Sequence, residues 1–249
     1  MHLQMNSYQN KDQSFLISLR NINKSFDDKR ILKDISINIA KGEFVSILGP
    51  SGCGKSTIFN IITGLEKQDS GDLLVSGDIG YMQQKDLLLP WKSIIENVVL
   101  PLDIKGKNKK ESRQRAKSYM EMMGLEGYGE KYPYQLSGGM KQRASFLRTF
   151  LSTDEIMLLD EPFGALDSIT KSKMQKWLLE MKNSLNTTIL FITHDIEEAI
   201  FLSDRIYVMD SRPGIIKEEI YLDFFKEYKE KRLLSKELLN IKEDILRIF

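Results

Sequence analysis

Phe44-Val45-Ser46-Ile47-Leu48 runs directly into Gly49-Pro50-Ser51-Gly52-Cys53-Gly54-Lys55-Ser56-Thr57. The first five residues read as a short apolar strand, and residues 56–63 read as a helix. The loop between them matches G-x-x-x-x-G-K-[ST] in full. Strand, glycine loop and helix together give that pattern its physical meaning. Glycines let the backbone curl so that successive N–H groups aim at phosphate oxygens, and the helix start adds the positive end of its dipole. Lys55 is then placed to reach the β- and γ-phosphates, and the Ser56 hydroxyl to meet Mg²⁺. Residues 49–57 are therefore expected to hold a nucleoside triphosphate.

Working outward, residues 15–19 and 31–39 alternate in the β manner, with Ile35, Ile37 and Ile39 against Ser36 and Asn38. Further short strands are expected at 72–75, 79–82, 155–159, 188–193 and 206–210. Residues 91–151 are mostly helical in character, with Gly124 and Gly127 as helix stops. Residues 169–185 read as a helix with Leu178, Met181 and Leu185 on one face. Ser211-Arg212-Pro213-Gly214 makes a turn, and residues 221–249 form a charged, helical tail. Strands alternating with helices favour a parallel core. The expected fold is α/β: a mostly parallel sheet, a small antiparallel lobe at the front and a helical insertion in the middle.

Composition narrows the function. With 249 residues and 41% hydrophobic content, the chain can bury the core of one such domain. A formal net charge of +1 gives no global field toward nucleic acid. The basic stretch 105–117 is either the solvated face of a surface helix or a contact for anionic headgroups or an acidic partner. A single cysteine, Cys53, cannot form an internal disulfide, which fits a reducing compartment. Its place in the phosphate loop argues against a catalytic role, since that loop works through backbone N–H groups. No run approaches the ~18 apolar residues of a membrane span, and residues 1–14 lack the apolar core of a signal peptide. The expectation is a soluble or peripheral protein whose membrane part, if it serves a membrane process, lies in other chains.

Three further sites carry chemistry. Asp160 ends the apolar run Ile156-Met157-Leu158-Leu159, where a carboxylate can hold Mg²⁺ through water. Glu161 follows directly, placed to orient or deprotonate an attacking water. His194 ends another strand of the same core, where side chains converge on a γ-phosphate, whereas His2 has no such context. Leu136-Ser137-Gly138-Gly139-Met140 precedes a helical run over 141–151; Ser137 is a good N-cap, and the glycines expose N–H groups. That makes a second anion site.

These motifs resemble, over nearly the whole chain, the ATP-binding subunit of ABC transporters, a P-loop NTPase core with an N-terminal antiparallel β lobe and an inserted helical subdomain. By that resemblance the ATP-binding domain covers about 15–247, with the helical subdomain at about 86–152. Residues 49–57 look like Walker A, residues 157–161 like Walker B and residues 136–140 like the signature. Ala165-Leu166-Asp167 looks like the D-loop, His194 like the switch histidine and Gln84 like the Q-loop glutamine. Gln83 is adjacent, and either could fill that last role. Gln84 has the spacing to Leu88-Leu89-Pro90-Trp91 that resembles the family pattern. Phe26 fits the aromatic that stacks on adenine. Met140 departs from the usual glutamine and cannot donate a hydrogen bond, but Ser137 and the backbone N–H groups remain.

The resemblance implies that Glu161, His194 and Gln84 are catalytic, and that Ser56, Gln84 and Asp160 hold Mg²⁺. It also implies that two copies of the chain bury two ATP molecules between them, with Ser137, Gly138 and Gly139 of one copy facing residues 49–57 of the other, and that Asp167 is among the nucleotide-binding residues. Transmembrane permease subunits, and a substrate-binding protein through them, are implied partners at the cytoplasmic membrane face; nucleic acid is not. Residues 88–91 and 211–214, with the tail around Leu234-Ser235-Lys236-Glu237, are similar to importers of nitrate, sulfonate, taurine or thiamine precursors. The segment 87–91 is a candidate permease groove, although Trp91 could equally be buried in the lobe. An exporter subunit and a non-transport ABC ATPase are the alternatives. The chain has neither the long coiled-coil insertion nor the second cassette of the latter.

Overall fold

In the computed structural model, which describes residues 15–211, 213–222 and 236–248, strands β3 (Phe44–Leu48), β6 (Ile156–Asp160) and β7 (Thr188–Thr193) are buried at every residue. Burial on both faces is what a parallel sheet between helical layers requires. Strands β5 (Ile79–Met82), β8 (Arg205–Asp210) and β9 (Ile215–Tyr221) complete six strands in the order β5-β6-β7-β3-β8-β9. Every pairing is parallel except that of β8 with the edge strand β9. Strands β1 (Phe15–Phe26), β2 (Lys29–Ala40) and β4 (Ser70–Val75) form the antiparallel lobe, in the order β2-β1-β4.

The period-two pleat splits these apolar runs between two cores. Val45, Ile47, Ile156, Leu158, Leu190 and Ile192 face the antiparallel lobe and helix α1 (Lys55–Ile62). Phe44, Met157, Leu159, Ile189 and Phe191 face the other way. There they meet the insertion helices α2 (Ile94–Ile104) and α4 (Gly138–Phe150), helix α5 (Ser168–Leu185), and Met120 of α3 (Lys109–Met122). Helix α6 (Ile196–Leu202) and the terminal helix α7 (Lys236–Ile248) share a third, smaller cluster that includes Leu48 and Val208.

Register positions the site. Leu48 lies opposite Thr193, Ile192 opposite Asp160, and Leu159 opposite Met82. Four parallel strands therefore end within a residue or two of one line, and the loops after them leave from one edge of the sheet. In open α/β sheets, ligands bind at that edge.

Several expectations need correction. Helix α4 starts at Gly138 rather than 141, so Gly138 and Gly139 are its first residues. Residues 196–202 are helical and 215–221 form a strand; Tyr221 therefore ends a strand instead of opening a helical tail. Leu185 is 38% exposed, so the buried face of α5 runs through Met174, Leu178 and Leu179. Gly124, at φ 62°, follows the α3 cap Met123, whereas Gly127 lies in a turn beyond it. The basic stretch 105–117 lies mainly on the exposed side of α3, with Lys105, Arg113 and Arg115 paired to Asp78, Glu130 and Asp154. Residues 1–14, Arg212, and Leu234 and Ser235 in the tail lie outside the described residues.

Candidate nucleotide site

The phosphate loop leaves β3 and enters α1 through left-handed glycines, Gly52 at φ 80° and Gly54 at φ 102°. Gly54's φ lies where side chains are strained, and a Cβ there would also have to displace Leu32 Cδ2, 2.6 Å away. No side chain caps α1, so its first N–H groups stay available to an anion. Lys55, buried inside the curl, donates from Nζ to the carbonyls of Gly49 at 2.7 Å and Pro50 at 2.9 Å. Ser51 and Gly52 face solvent, and Thr57 is half-buried. Burial pushes the Cys53 thiol up despite the Lys55 charge beside it, which keeps it a neutral wall residue.

Ser56 ties the loop to the next strand. Its Oγ donates to Asp160 Oδ2 at 2.7 Å. Asp160 is 3% exposed, and burial raises its pKa against the opposing effect of that hydrogen bond, while Glu161 pushes the same way as burial. Glu161 turns the chain away from β6 at φ 47°, a left-handed conformation uncommon outside glycine. Its N–H donates to Ile192 O on β7 at 3.0 Å. Its carboxylate meets two of the expected residues: Gln84 Nε2 donates to Oε2 at 3.3 Å, and His194 Nδ1 lies 3.2 Å from Oε1. Of the adjacent glutamines, Gln84 is the one that reaches Glu161.

Other expected residues stand apart. Phe26, at the β1–β2 turn, is 40% exposed with Lys24 Nζ 4.8 Å from its ring centre. That hairpin reaches the phosphate loop through Ile31 and Leu32 beside Gly54. Ser137 caps α4, accepting from Met140 N–H at 3.3 Å. Ser137 and Gly138 are exposed, and among the described residues no hydrogen bond joins them or Gly139 to residues 49–57. Met140 turns inward against the helical core. Asp167 caps α5, accepting from Ile169 and Thr170 N–H, and these bonds, Thr170 first, hold its carboxyl below the usual range. Trp91 is 71% exposed, which removes the reading that buries it in the lobe.

The sequence reading missed a polar cluster behind His194. Lys171 Nζ bridges Asp195 Oδ2 at 2.8 Å and Glu198 Oε1 at 2.6 Å, and Thr193 Oγ1 donates to Glu198 Oε2 at 2.5 Å. Burial works against Lys171, yet its two carboxylate partners raise its pKa. Burial likewise would raise Asp195, but hydrogen bonds from Lys171 and the start of α6 bring it below the usual range. The cluster, with Glu161 and His194, lines a cavity of about 160 Å³. It was legible as Lys171 one turn into α5 and two acids beside His194, but their meeting depends on the tertiary fold. Gln142 was also missed; it is a buried polar residue on the inner face of α4.

Residues 32–164 match a protein family described as ABC transporter. The formylaminopyrimidine import ATP-binding protein of Halalkalibacterium halodurans is 44% identical over 219 residues, 86% of this chain and 88% of that protein. The nitrate import ATP-binding protein of Synechocystis sp. is 40% identical over 219 residues, 83% of this chain and 82% of that protein. A solved dimeric ATP-binding cassette, in a post-hydrolysis state with ADP and phosphate bound, superimposes with a TM-score of 0.75 at 33% identity, covering 83% of this chain and 98% of that one.

Proposed function

We propose a function from an established premise: the chain belongs to the ABC transporter family. It is the ATP-binding and ATP-hydrolysing subunit of a transport system, and we read it as serving an importer of a small solute. The carrying observation is the joining at one sheet edge of Ser56 to Asp160 and of Glu161 to Gln84 and His194, beside an uncapped helix start. We read the ATP-binding domain as residues 15–247, with 86–152 its helical subdomain.

In this reading Lys55 leaves its carbonyl partners for the β- and γ-phosphates, and the N–H groups of residues 49–57 surround them. Phe26 stacks on adenine. Ser56, Asp160 and Gln84 hold Mg²⁺. Their oxygen donors suit that ion, which is usually bound through one or two carboxylates plus substrate phosphates. Among the described residues no group of three or more His, Cys, Asp or Glu side chains is placed to hold a metal ion by itself. The remaining ligands must then come from nucleotide and water. When bound, the ion neutralises charge on the β- and γ-oxygens. Glu161 orients or deprotonates the attacking water, and His194, held by Glu161, senses the γ-phosphate. No covalent intermediate is needed; positioning and electrostatics suffice.

Ser137 and Gly138 are exposed, and among the described residues no hydrogen bond joins residues 137–139 to their own chain's loop, which supports a partner copy's γ-phosphate as their ligand. Two copies would then enclose two ATP molecules. Among the described residues no helix is long and apolar enough to cross a membrane. The chain is read as peripheral, seated at the cytoplasmic face on permease subunits through the exposed segment 87–91, with a substrate-binding protein acting through the permease. Nitrate and formylaminopyrimidine, named for the relatives, set the size of solute to test. The loop assignment is tested by titrating ATP onto Lys55→Ala: binding should weaken at least about tenfold, by loss of a charge-assisted phosphate contact. Unchanged affinity would reject it.

A further inference from the structure

Gln142 lies five residues beyond Ser137, on the buried side of α4, and is 7% exposed. Both ends of its amide are used. Nε2 donates to Glu161 O at 3.1 Å, and Oε1 accepts from Ala165 N–H at 2.9 Å. One side chain therefore clasps the two ends of the turn 161–165, which leads from the putting-in-place of the Glu161 carboxylate to the D-loop. That turn begins with Glu161 at φ 47°, a conformation that persists only where the surroundings hold it. Three hydrogen bonds of the Glu161 backbone hold it here: Glu161 N–H donates to β7, and the Glu161 carbonyl accepts from Gly164 N–H and from Gln142 Nε2.

The first turn of α4 thus has two sides. Ser137 and Gly138 look outward. Gly139 and Gln142 look onto the turn that carries Glu161; a Cβ on Gly139 would stand 3.3 Å from Ala165 O and 3.4 Å from Leu166 Cδ2. Further along the same helix, Arg148 donates to the carbonyls of Asp86 at 2.8 Å and Leu87 at 2.9 Å, just past Gln84. A helix moves as a rigid rod, so a displacement at Ser137 reaches Glu161 through Gln142 and the Gln84 loop through Arg148.

We infer that Gln142 is the positioning residue that couples the two ATP sites of the dimer. When one nucleotide engages residues 137–139 of a chain, Gln142 sets the orientation of that chain's Glu161 at the other nucleotide. The inference rests on the shared-site reading above. Removing the amide takes one of two donors from the Glu161 carbonyl, leaving Gly164 N–H, deprives Ala165 N–H of its acceptor, and loosens the hold on a left-handed turn.

The test uses the full chain with Mg-ATP. Wild-type turnover should be cooperative, with a Hill coefficient between 1 and the limit of 2 set by two sites. Gln142→Met keeps side-chain length without the hydrogen bonds. It should lower kcat about tenfold or more through misplacement of Glu161. Its Hill coefficient should fall to 1, with ATP affinity and ATP-driven dimerisation retained. Gln142→Glu keeps the acceptor for Ala165 but loses the donor to Glu161, and should match Gln142→Met in kcat. Non-cooperative wild-type turnover, or variants that keep wild-type kcat and cooperativity, would overturn the inference while leaving the shared site intact. So would a parallel fall in kcat, ATP affinity and Tm, the mark of a purely structural residue. A wild-type chain that never pairs on ATP would overturn both.

Discussion

The starts of α1 and α4 use the same device, a glycine-rich turn feeding a helix, yet their surroundings differ throughout. The first follows a fully buried strand, is walled by Leu32, encloses Lys55 and is tied through Ser56 to Asp160. The second follows an exposed segment, caps itself with Ser137 and turns its first glycine to solvent. Glycines and a helix start supply N–H donors in both places. Only the neighbours decide whether a cradle is complete. On the proposed reading the phosphate loop holds most of a nucleotide site within one chain, and residues 137–139 supply the remainder of a site on another copy.

The largest effect should come from the phosphate-loop side. Glu161→Gln should lower ATP turnover by about two orders of magnitude or more, the range for a positioned general base, with nucleotide affinity retained. Near-normal turnover in a coupled assay would break the assignment of chemistry to this edge. Next comes the cluster behind His194. Lys171→Met leaves Asp195 and Glu198 unpaired, and the half-open setting reduces the usual cost of breaking a buried pair to about 2 kcal/mol. At about 2–4 °C per kcal/mol for a domain of this size, Tm should fall by about 4–8 °C. Because the Asp195 pKa is depressed in the folded state, its contribution is present above the ordinary carboxylate value and lost as pH falls through the folded one. The gap between variant and wild type should narrow in acid, and a gap independent of pH would contradict the cluster's role.

The smallest effect has the opposite sign. The raised pKa of Asp160 means that its ionised form works against folding. Its stabilising influence is fullest below the ordinary carboxylate value and lost as pH rises through the folded value. Asp160→Asn keeps an acceptor for Ser56, so calorimetry at neutral pH should show Tm rising by about 2–4 °C. The gain should vanish in acid. A drop in neutral-pH Tm would show that burial is not the dominant influence on this carboxylate.

Local signals were the readable ones. The apolar runs at 79–82 and 188–193 match β5 and β7 residue for residue, because buried parallel strands carry their whole signal in consecutive side chains. The phosphate loop and Asp160 were legible for the same reason. Strand β9 was not: Lys217, Glu218 and Glu219 break its alternation, and it is a strand only because β8 offers it an edge. Helix α6 was hidden by its length of seven residues directly after His194. Gln142 could be seen only as a polar residue on an inner helix face, since both its partners are backbone atoms distant in sequence. The transported solute leaves no mark in this chain, whose site chemistry concerns phosphate and water.

The central claim is that residues 137–139 complete a nucleotide site on a second copy. It is tested most directly by measuring the mass in solution of Glu161→Gln with ATP, and again with Ser137→Arg added. The account expects the mass to double on ATP in the first and to remain that of a monomer in the second, with both binding ATP equally well. A single mass in both, or doubling in both, would contradict it.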